Sequence, residues 1–203
     1  AGTAPINNCN FTHVSFISFY YFILNSNCKL CNTHSSFPKT HVKVSAFSDL
    51  FKKAKAKGIH TTIDTAGGPF TREEPFFSKF QELMQYTALL LVDIKHIDEK
   101  SHKELTGKTN KNILDMIRFL SDIKKPVWIR HVLVPERSDY DEYLNRLNDF
   151  IQTLDNVERV EILPYHTLGA YKWKELGLDY PLEGINPPSR ERVENAKKIL
   201  HCS

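Results

Sequence analysis

Residues 88–96 of the chain read Ala-Leu-Leu-Leu-Val-Asp-Ile-Lys-His. The first five form a continuous apolar run, which is typical of a strand buried on both faces of a parallel sheet. The run ends at Asp93, and Lys95 and His96 follow it closely. In parallel α/β proteins the carboxyl ends of the strands face the active site. This stretch therefore predicts both an α/β fold and the edge of the sheet where function resides.

An alternation of strands and helices extends on both sides of this stretch. Strands are predicted over Ile59–Ile63, Ala88–Val92, Val127–Val134 and Val160–Leu163. Apolar residues at helical spacing predict helices over Phe47–Ala54, Phe76–Met84, Asn110–Leu120, Tyr143–Leu154 and Arg190–Leu200. This order implies about four consecutive βα units with right-handed crossovers. An open doubly wound sheet and a TIM-like barrel both satisfy the pattern.

The charges divide the chain near residue 48. No Asp or Glu precedes Asp49, so all 24 acidic residues lie in the later part. The apolar run from Val14 to Leu24 is too short for a membrane span, which needs about 20 residues. We therefore predict an irregular extension over residues 1–46 that does not belong to the domain of residues 47–203. Because the chain begins with Ala1, we expect a fragment or a processed product.

Composition excludes several classes of protein. A net charge of +3 is mild, and the lysines between Lys52 and Lys57 suit the solvated face of a helix, so nucleic-acid binding is not expected. The four cysteines are too few and too irregularly spaced for a secreted disulfide framework. We expect a cytoplasmic monomer without a membrane segment.

Polar residues follow or interrupt each predicted strand. Asp64 and Thr65 follow the first, Asp93 the second and His166 the last, while Arg130 and His131 lie within the third. We expect one rim to gather the following side chains: Asp64, Asp93, Lys95, Arg130 and His166.

Simpler structural roles remain open for these residues. Asp64 could be a helix N-cap, and Asp93 with Lys95 could be an ion pair without a ligand. Because Arg130 and His131 are adjacent on a strand, one of the two should point into the core. His166 is the hardest to explain by stability alone.

Cys28-Lys29-Leu30-Cys31 is a lone C-x2-C pair. Such a pair can supply half of a zinc or iron–sulfur site, but no second pair matches it. The sequence contains no G-x-G-x-x-G or Walker pattern, which excludes dinucleotide-binding and P-loop sites.

Several motifs then occur in a fixed order. They are Gly58-Ile59-His60-Thr61-Thr62-Ile63-Asp64-Thr65, Leu91-Val92-Asp93-Ile94-Lys95, Val127-Trp128-Ile129-Arg130, Leu163-Pro164-Tyr165-His166-x-Leu168-Gly169-x3-Trp173, and Pro187-Pro188. Together, from about Phe47 to Ile199, they resemble the C-terminal portion of the pyruvate formate-lyase activating enzyme family. The resemblance implies a partial TIM-like (β/α) barrel, incomplete in this chain.

The resemblance also implies a chemistry. In that family a 4Fe-4S cluster on a C-x3-C-x2-C loop reduces S-adenosylmethionine to a 5′-deoxyadenosyl radical. The radical removes hydrogen from a glycine of the partner, the glycyl-radical enzyme pyruvate formate-lyase, and the electron comes from a donor such as flavodoxin.

Binding roles follow from the same resemblance, and it assigns no catalytic side chain here. Asp93, Ile94 and Lys95 match the segment that contacts S-adenosylmethionine, and His166 matches a second contact. A monovalent-cation site is matched by Asp64, Thr65, Asp93 and the main-chain carbonyl of Leu91.

The chain departs from the family in the cluster region. If Cys28 and Cys31 stand for the last two cluster cysteines, Leu24 occupies the position of the first and Asn32 follows directly. The family's Gly-Gly-Glu segment is absent upstream of Phe47. We therefore expect Cys28 and Cys31 to be coincidental and the chain alone to be inactive. Alternatives are a non-catalytic fragment that binds a partner, or a barrel aldolase that uses Lys95 as a Schiff base.

Overall fold

The computed structural model describes residues 17–20 and 44–202. Its five strands are β1 (Ile17–Tyr20), β2 (Thr61–Thr65), β3 (Leu89–Asp93), β4 (Val127–Leu133) and β5 (Val157–Pro164). They form one parallel sheet in the order β1-β2-β3-β4-β5. The predicted α/β class with parallel βα units is thus confirmed, and each of the four predicted strands is present.

Helices connect the strands and cover the sheet. In the described residues they are α1 (Val44–Ala56), α2 (Phe76–Tyr86), α3 (Glu99–Thr106), α4 (Lys111–Asp122), α5 (Asp141–Gln152), α6 (Ala170–Glu175) and α7 (Arg190–Ile199). The sequence predicted five of these and missed α3 and α6. No helix within residues 44–202 is long and apolar enough to cross a membrane.

Within residues 1–43 of the predicted irregular extension the structure describes only Ile17–Tyr20, which form a short strand. This short run of β-branched and aromatic residues pairs in parallel with β2, so it forms an added strand at the edge of the sheet. The first helix begins at Val44, three residues before the predicted domain boundary. The remainder of residues 1–43 lies outside the described residues.

The core lies between the sheet and its helices. Strand β3 carries the fully buried Leu90 and Val92, as its apolar run predicted. Helix α4 contributes an apolar stripe of buried side chains, namely Ile113, Met116, Ile117 and Leu120. A cluster of five phenylalanine rings (Phe70, Phe76, Phe77, Phe80 and Phe119) packs beside it. This core fixes the strands, and therefore the positions of the residues at their carboxyl ends.

Helix termini explain how the loops beside the site are held. Asp98 caps α3, because its Oδ1 accepts from the backbone N–H of Ser101 at 3.0 Å. Asn110 lies at the predicted N-cap position of α4, but its side chain makes no capping bond. Its amide instead donates to the carbonyls of His96 (3.1 Å) and Ile97 (2.7 Å). Asn110 therefore ties α4 to the loop that follows β3.

Candidate active site

Three parallel strands bring their charged residues to one edge. In the strand register Asp64 of β2 lies opposite Leu91 of β3, and Asp93 of β3 lies opposite Arg130 of β4. Because parallel strands end on the same side, the three charged side chains meet at the carboxyl edge.

Arg130 links the two carboxylates. Its Nε donates to Asp93 Oδ1 at 2.8 Å, and its Nη2 donates to Asp64 Oδ1. The arginine side chain is 15% exposed, and those of Asp64 and Asp93 are 13% and 15% exposed. Burial opposes the charge on the guanidinium, but the carboxylates outweigh it and raise the pKa of Arg130. A charged arginine thus bridges β2, β3 and β4.

Lys95 completes this cluster from the loop after β3. Its Nζ donates to Asp93 Oδ2 at 2.7 Å, and its side chain is only 12% exposed. Each oxygen of Asp93 therefore accepts one hydrogen bond, Oδ1 from Arg130 and Oδ2 from Lys95, and a carboxylate oxygen can accept a further one. Two cations face two carboxylates, so the formal charges of the four side chains cancel.

The residues between these charged groups point into the core. Ile94 is fully buried, and its backbone N–H donates to the carbonyl of Arg130 at 2.9 Å. His131 is buried as predicted for one of the Arg130–His131 pair, and its Nδ1 donates to the carbonyl of Ile94 at 2.8 Å. Burial lowers the pKa of His131, and the hydrogen bonds to the carbonyls of Ile94 and Ser138 oppose that shift. Because neighbouring residues of a strand point to opposite faces, Arg130 projects from the face opposite His131.

His96 fixes the loop that carries Lys95. Its Nε2 donates to the carbonyl of Arg137 at 3.2 Å, and its Nδ1 accepts from the backbone N–H of Asp98 at 3.0 Å. Burial lowers its pKa to about 4, so the ring is neutral and can serve as donor and acceptor at once. The sequence drew attention to His96 only by its position after Lys95 and did not indicate this role.

The remaining predicted site residues are less closely associated. Thr65 Oγ1 accepts from the backbone N–H of Gly67 at 2.9 Å, which shapes the loop after β2. His166 is exposed and lies two residues beyond the end of β5, at the same edge of the sheet. Cys28 and Cys31 lie outside the described residues.

The positions of these side chains bear on the monovalent cation and the 4Fe-4S cluster that the resemblance implies. Within the described residues no group of three or more His, Cys, Asp or Glu side chains is placed to hold a metal ion. A monovalent cation shared by Asp64 and Asp93 would have to share both carboxylates with Arg130. The cluster of Asp64, Asp93, Lys95 and Arg130 presents two carboxylates and two cations at this edge of the sheet.

Comparison with known proteins finds named enzymes that are similar to this chain in sequence. The pyruvate formate-lyase-activating enzyme of Streptococcus mutans is 55% identical over 152 residues, which are 75% of this chain and 58% of that protein. The enzyme of the same name from Listeria monocytogenes is 50% identical over 162 residues, which are 80% of this chain and 65% of that protein. This chain thus spans about three fifths of the length of these relatives. No protein-family model matches it.

A solved structure agrees in fold. The crystal structure of a domain of pyruvate-formate lyase-activating enzyme from Bacteroides vulgatus superposes with a TM-score of 0.62 at 23% identity. The superposition covers 78% of this chain and 85% of that domain. With sequence identities of 50–55% to the curated relatives, the matched part of this chain belongs to the pyruvate formate-lyase-activating enzyme family.

Proposed function

We propose that the cluster of Asp64, Asp93, Lys95 and Arg130 is part of the S-adenosylmethionine site of an enzyme that activates pyruvate formate-lyase. The observation that carries the proposal is the Asp93–Lys95 pair at the carboxyl edge of β3. It lies in a chain that is 50–55% identical to proteins named for this activity. A cytoplasmic monomer with flavodoxin or a similar electron donor is part of the same proposal.

The donor set fits the proposed ligand. S-adenosylmethionine carries a carboxylate, an amino group, a sulfonium and ribose hydroxyls. Lys95 offers an ammonium for an anionic or hydroxyl oxygen, and Asp93 offers carboxylate oxygens for a hydroxyl or amino group. The exposed imidazole of His166 can donate or accept at the same edge. Bound together, S-adenosylmethionine and an iron–sulfur cluster supply the radical that takes hydrogen from a glycine of the partner.

Arg130 has a different role in this proposal. By donating to both Asp64 and Asp93 it holds the two carboxylates in fixed positions before a ligand arrives. Such preorganisation reduces the cost of ordering the site on binding. Ile94 has its side chain in the core and its N–H bonded to Arg130, so we assign it to the support of Asp93 and Lys95.

The arrangement of Lys95 gives no support to the aldolase alternative. A Schiff-base lysine reacts as the neutral amine. Lys95 is instead held 2.7 Å from a carboxylate that favours an ammonium partner. Borohydride trapping of a carbonyl substrate on Lys95 would support the aldolase alternative.

Lys95→Met tests the proposed site by ligand titration. The wild-type 203-residue chain should bind S-adenosylmethionine only weakly, with a Kd well above micromolar, because the amino-group segment of the family is absent from its sequence. Lys95→Met should weaken binding by roughly tenfold or more, since a charge-assisted hydrogen bond contributes about 1.5–3 kcal/mol. Lys103→Met, at an exposed lysine of α3, is the matched control and should bind as wild type.

Equal affinity of the Lys95 and Lys103 variants would contradict the proposed site. NMR titration at millimolar ligand is suitable for so weak an interaction, and micromolar binding would contradict the expected loss of affinity.

A second experiment tests the proposed inactivity of this chain. The cluster needs three thiolates, and Leu24 stands where the first is expected. Anaerobic reconstitution with iron and sulfide should therefore give no stable 4Fe-4S absorbance. A glycyl-radical EPR signal on pyruvate formate-lyase after addition of S-adenosylmethionine and reductant would overturn this expectation.

A further inference from the structure

Exposed apolar side chains are concentrated in one short segment after β5. Of the seven large aliphatic or aromatic side chains that are exposed in the described part of the chain, four lie between residues 168 and 178. They are Leu168 (78% exposed), Tyr171 (58%), Leu176 (48%) and Leu178 (42%). Helix α6, which lies in this segment, has no buried residue. Single apolar residues on a surface are ordinary, but a concentration of them marks an interaction site.

Two of these side chains, Tyr171 and Leu178, line a groove of about 520 Å³. Residues of α6 and of the segment 178–185 form this groove, which is called the α6 groove below. Leu182, which is buried and packs in one cluster with Tyr165, also lines it. The volume lies in the range of about 300–1,000 Å³ that is usual for binding sites.

The α6 groove is anchored to the core through Tyr180. The hydroxyl of this lining residue lies 2.5 Å from that of the buried Tyr165. Its ring also contacts Trp173 of α6, with the ring centroids 5.8 Å apart. Both walls of the groove are thus attached before any ligand arrives, and such a preformed groove loses little conformational entropy on binding.

The charged side chains of the α6 groove are available to a ligand. Lys174, Asp179 and Glu183 line the groove and are exposed. Within residues 44–202 none of the three takes part in an ion pair. Two carboxylates and one ammonium give the groove an acidic balance, which complements a basic group on a partner.

The α6 groove also lies beside the proposed site. Thr167, which lines it, follows His166 directly at the carboxyl edge of the sheet. Strand β5 is two strands away from β3, which is about 10 Å at the usual strand spacing. A protein partner covers about 800 Å² of surface, a patch roughly 30 Å across. A partner centred on Asp93 and Lys95 is therefore wide enough to reach the groove.

We propose that the α6 groove docks the protein whose glycine is the target of the proposed reaction. An apolar side chain of that protein packs against Tyr171 and Leu178, and a neighbouring basic side chain pairs with Asp179 or Glu183. This second point of contact orients the partner while its glycine enters the site. The inference rests on the proposed function for the identity of the partner.

Binding of the 203-residue chain to immobilised pyruvate formate-lyase tests this proposal by biolayer interferometry. Leu178→Ser removes an exposed anchor and should weaken binding by roughly tenfold or more. Ile123→Ser is the matched control, because Ile123 is also 42% exposed but lies at the end of α4, on the amino edge of the sheet. It should bind as wild type. Tyr171→Ser, a second change at an exposed position, should weaken binding in the same way.

Three results would overturn the proposal. They are wild-type affinity in both Leu178→Ser and Tyr171→Ser, an equal loss in Ile123→Ser, and no binding of the wild-type chain. The assay contains no S-adenosylmethionine, so its outcome is separate from the Lys95→Met titration. Docking that depends on Leu178 would stand even if that titration failed, and a successful titration would stand even if the groove variants docked as wild type.

Discussion

Arg130 Nε donates to Asp93 Oδ1 at 2.8 Å across neighbouring strands, while its Nη2 reaches Asp64 on the strand beyond. One guanidinium therefore ties the carboxyl ends of three strands together. All three side chains are at least 85% buried, so this contact differs in kind from an ion pair on the surface.

Arg130→Met should strongly destabilise the fold. It leaves Asp64 without its cation and Asp93 with Lys95 alone, in a site with little access to water. Removal of one member of a buried ion pair costs about 3–5 kcal/mol. We expect a loss of about 3 kcal/mol in the free energy of unfolding, measured by urea denaturation.

Arg72→Met is the control for that experiment. Arg72 also contacts a carboxylate through two nitrogens, on Asp115, but both side chains are more than 40% exposed. An exposed pair is worth less than about 1 kcal/mol. Equal losses in the two variants would mean that the Arg130 cluster contributes no more than a surface contact.

Gly67→Ala should cost more stability than Gly58→Ala. Both glycines have positive φ angles, 65° and 71°, where a side chain is unfavourable by about 1 kcal/mol. A Cβ at Gly67 would also lie 2.7 Å from the terminal methyl of the buried Met116, whereas one at Gly58 would meet no atom within 4 Å.

Displacing Met116 from a packed core should add about 1 kcal/mol. Thermal unfolding of the two variants measures the difference directly. Equal losses of stability in the two variants would show that the Met116 side chain can shift at no energetic cost.

The strands could be predicted from the sequence because each is a short apolar or β-branched run with a clear end. The helices α3 and α6 could not, since neither carries an apolar stripe. In α3 only His102, Leu105 and Thr106 are buried, and in α6 no residue is. Strand β1 was missed because its four residues sit in a region whose composition differs from that of the domain.

The edge of the sheet that gathers Asp64, Asp93 and Arg130 was also predictable, since parallel strands bring their ends together. Which charged side chains contact one another at this edge was not predictable. That Arg130 contacts both Asp64 and Asp93 depends on the register of three strands, and the continuous apolar run of β3 has no alternation that would specify its register. The buried role of His96 depends on its tertiary contact with Arg137, and no local signal in the sequence indicates it.

Acid should destabilise the protein through His96. Its pKa is lowered to about 4 in the folded state, against an ordinary value near 6.5 for the unfolded chain. The stabilisation is therefore complete above about pH 6.5 and is lost as the pH falls towards 4, because the unfolded chain then binds the proton more readily. For His96 alone the loss between about pH 8 and pH 5 is roughly 2 kcal/mol.

His96→Gln should flatten this dependence. The variant will be less stable near neutral pH because contacts to Arg137 and Asp98 are weakened, but its urea midpoint should fall less steeply with acid. His201→Gln, at an exposed histidine, serves as the comparison. An unchanged slope in His96→Gln would show that other groups dominate the acid response.

Tyr165 and Tyr180 should be energetically coupled through their hydroxyl groups, which lie 2.5 Å apart. Tyr165 is 6% exposed and packs with Val134 and Leu182, so this contact secures the segment after β5 that carries His166. Burial, together with the bond to Tyr165, raises the pKa of Tyr180, so the hydroxyl stays protonated at neutral pH.

Replacing either tyrosine by phenylalanine leaves the other hydroxyl without its partner and should cost about 1 kcal/mol. In the double variant no hydroxyl is left unpaired, so its loss should be smaller than the sum of the single losses, with a coupling energy of about 1 kcal/mol from urea denaturation. Additive losses would contradict the hydrogen bond, because independent side chains show no such coupling.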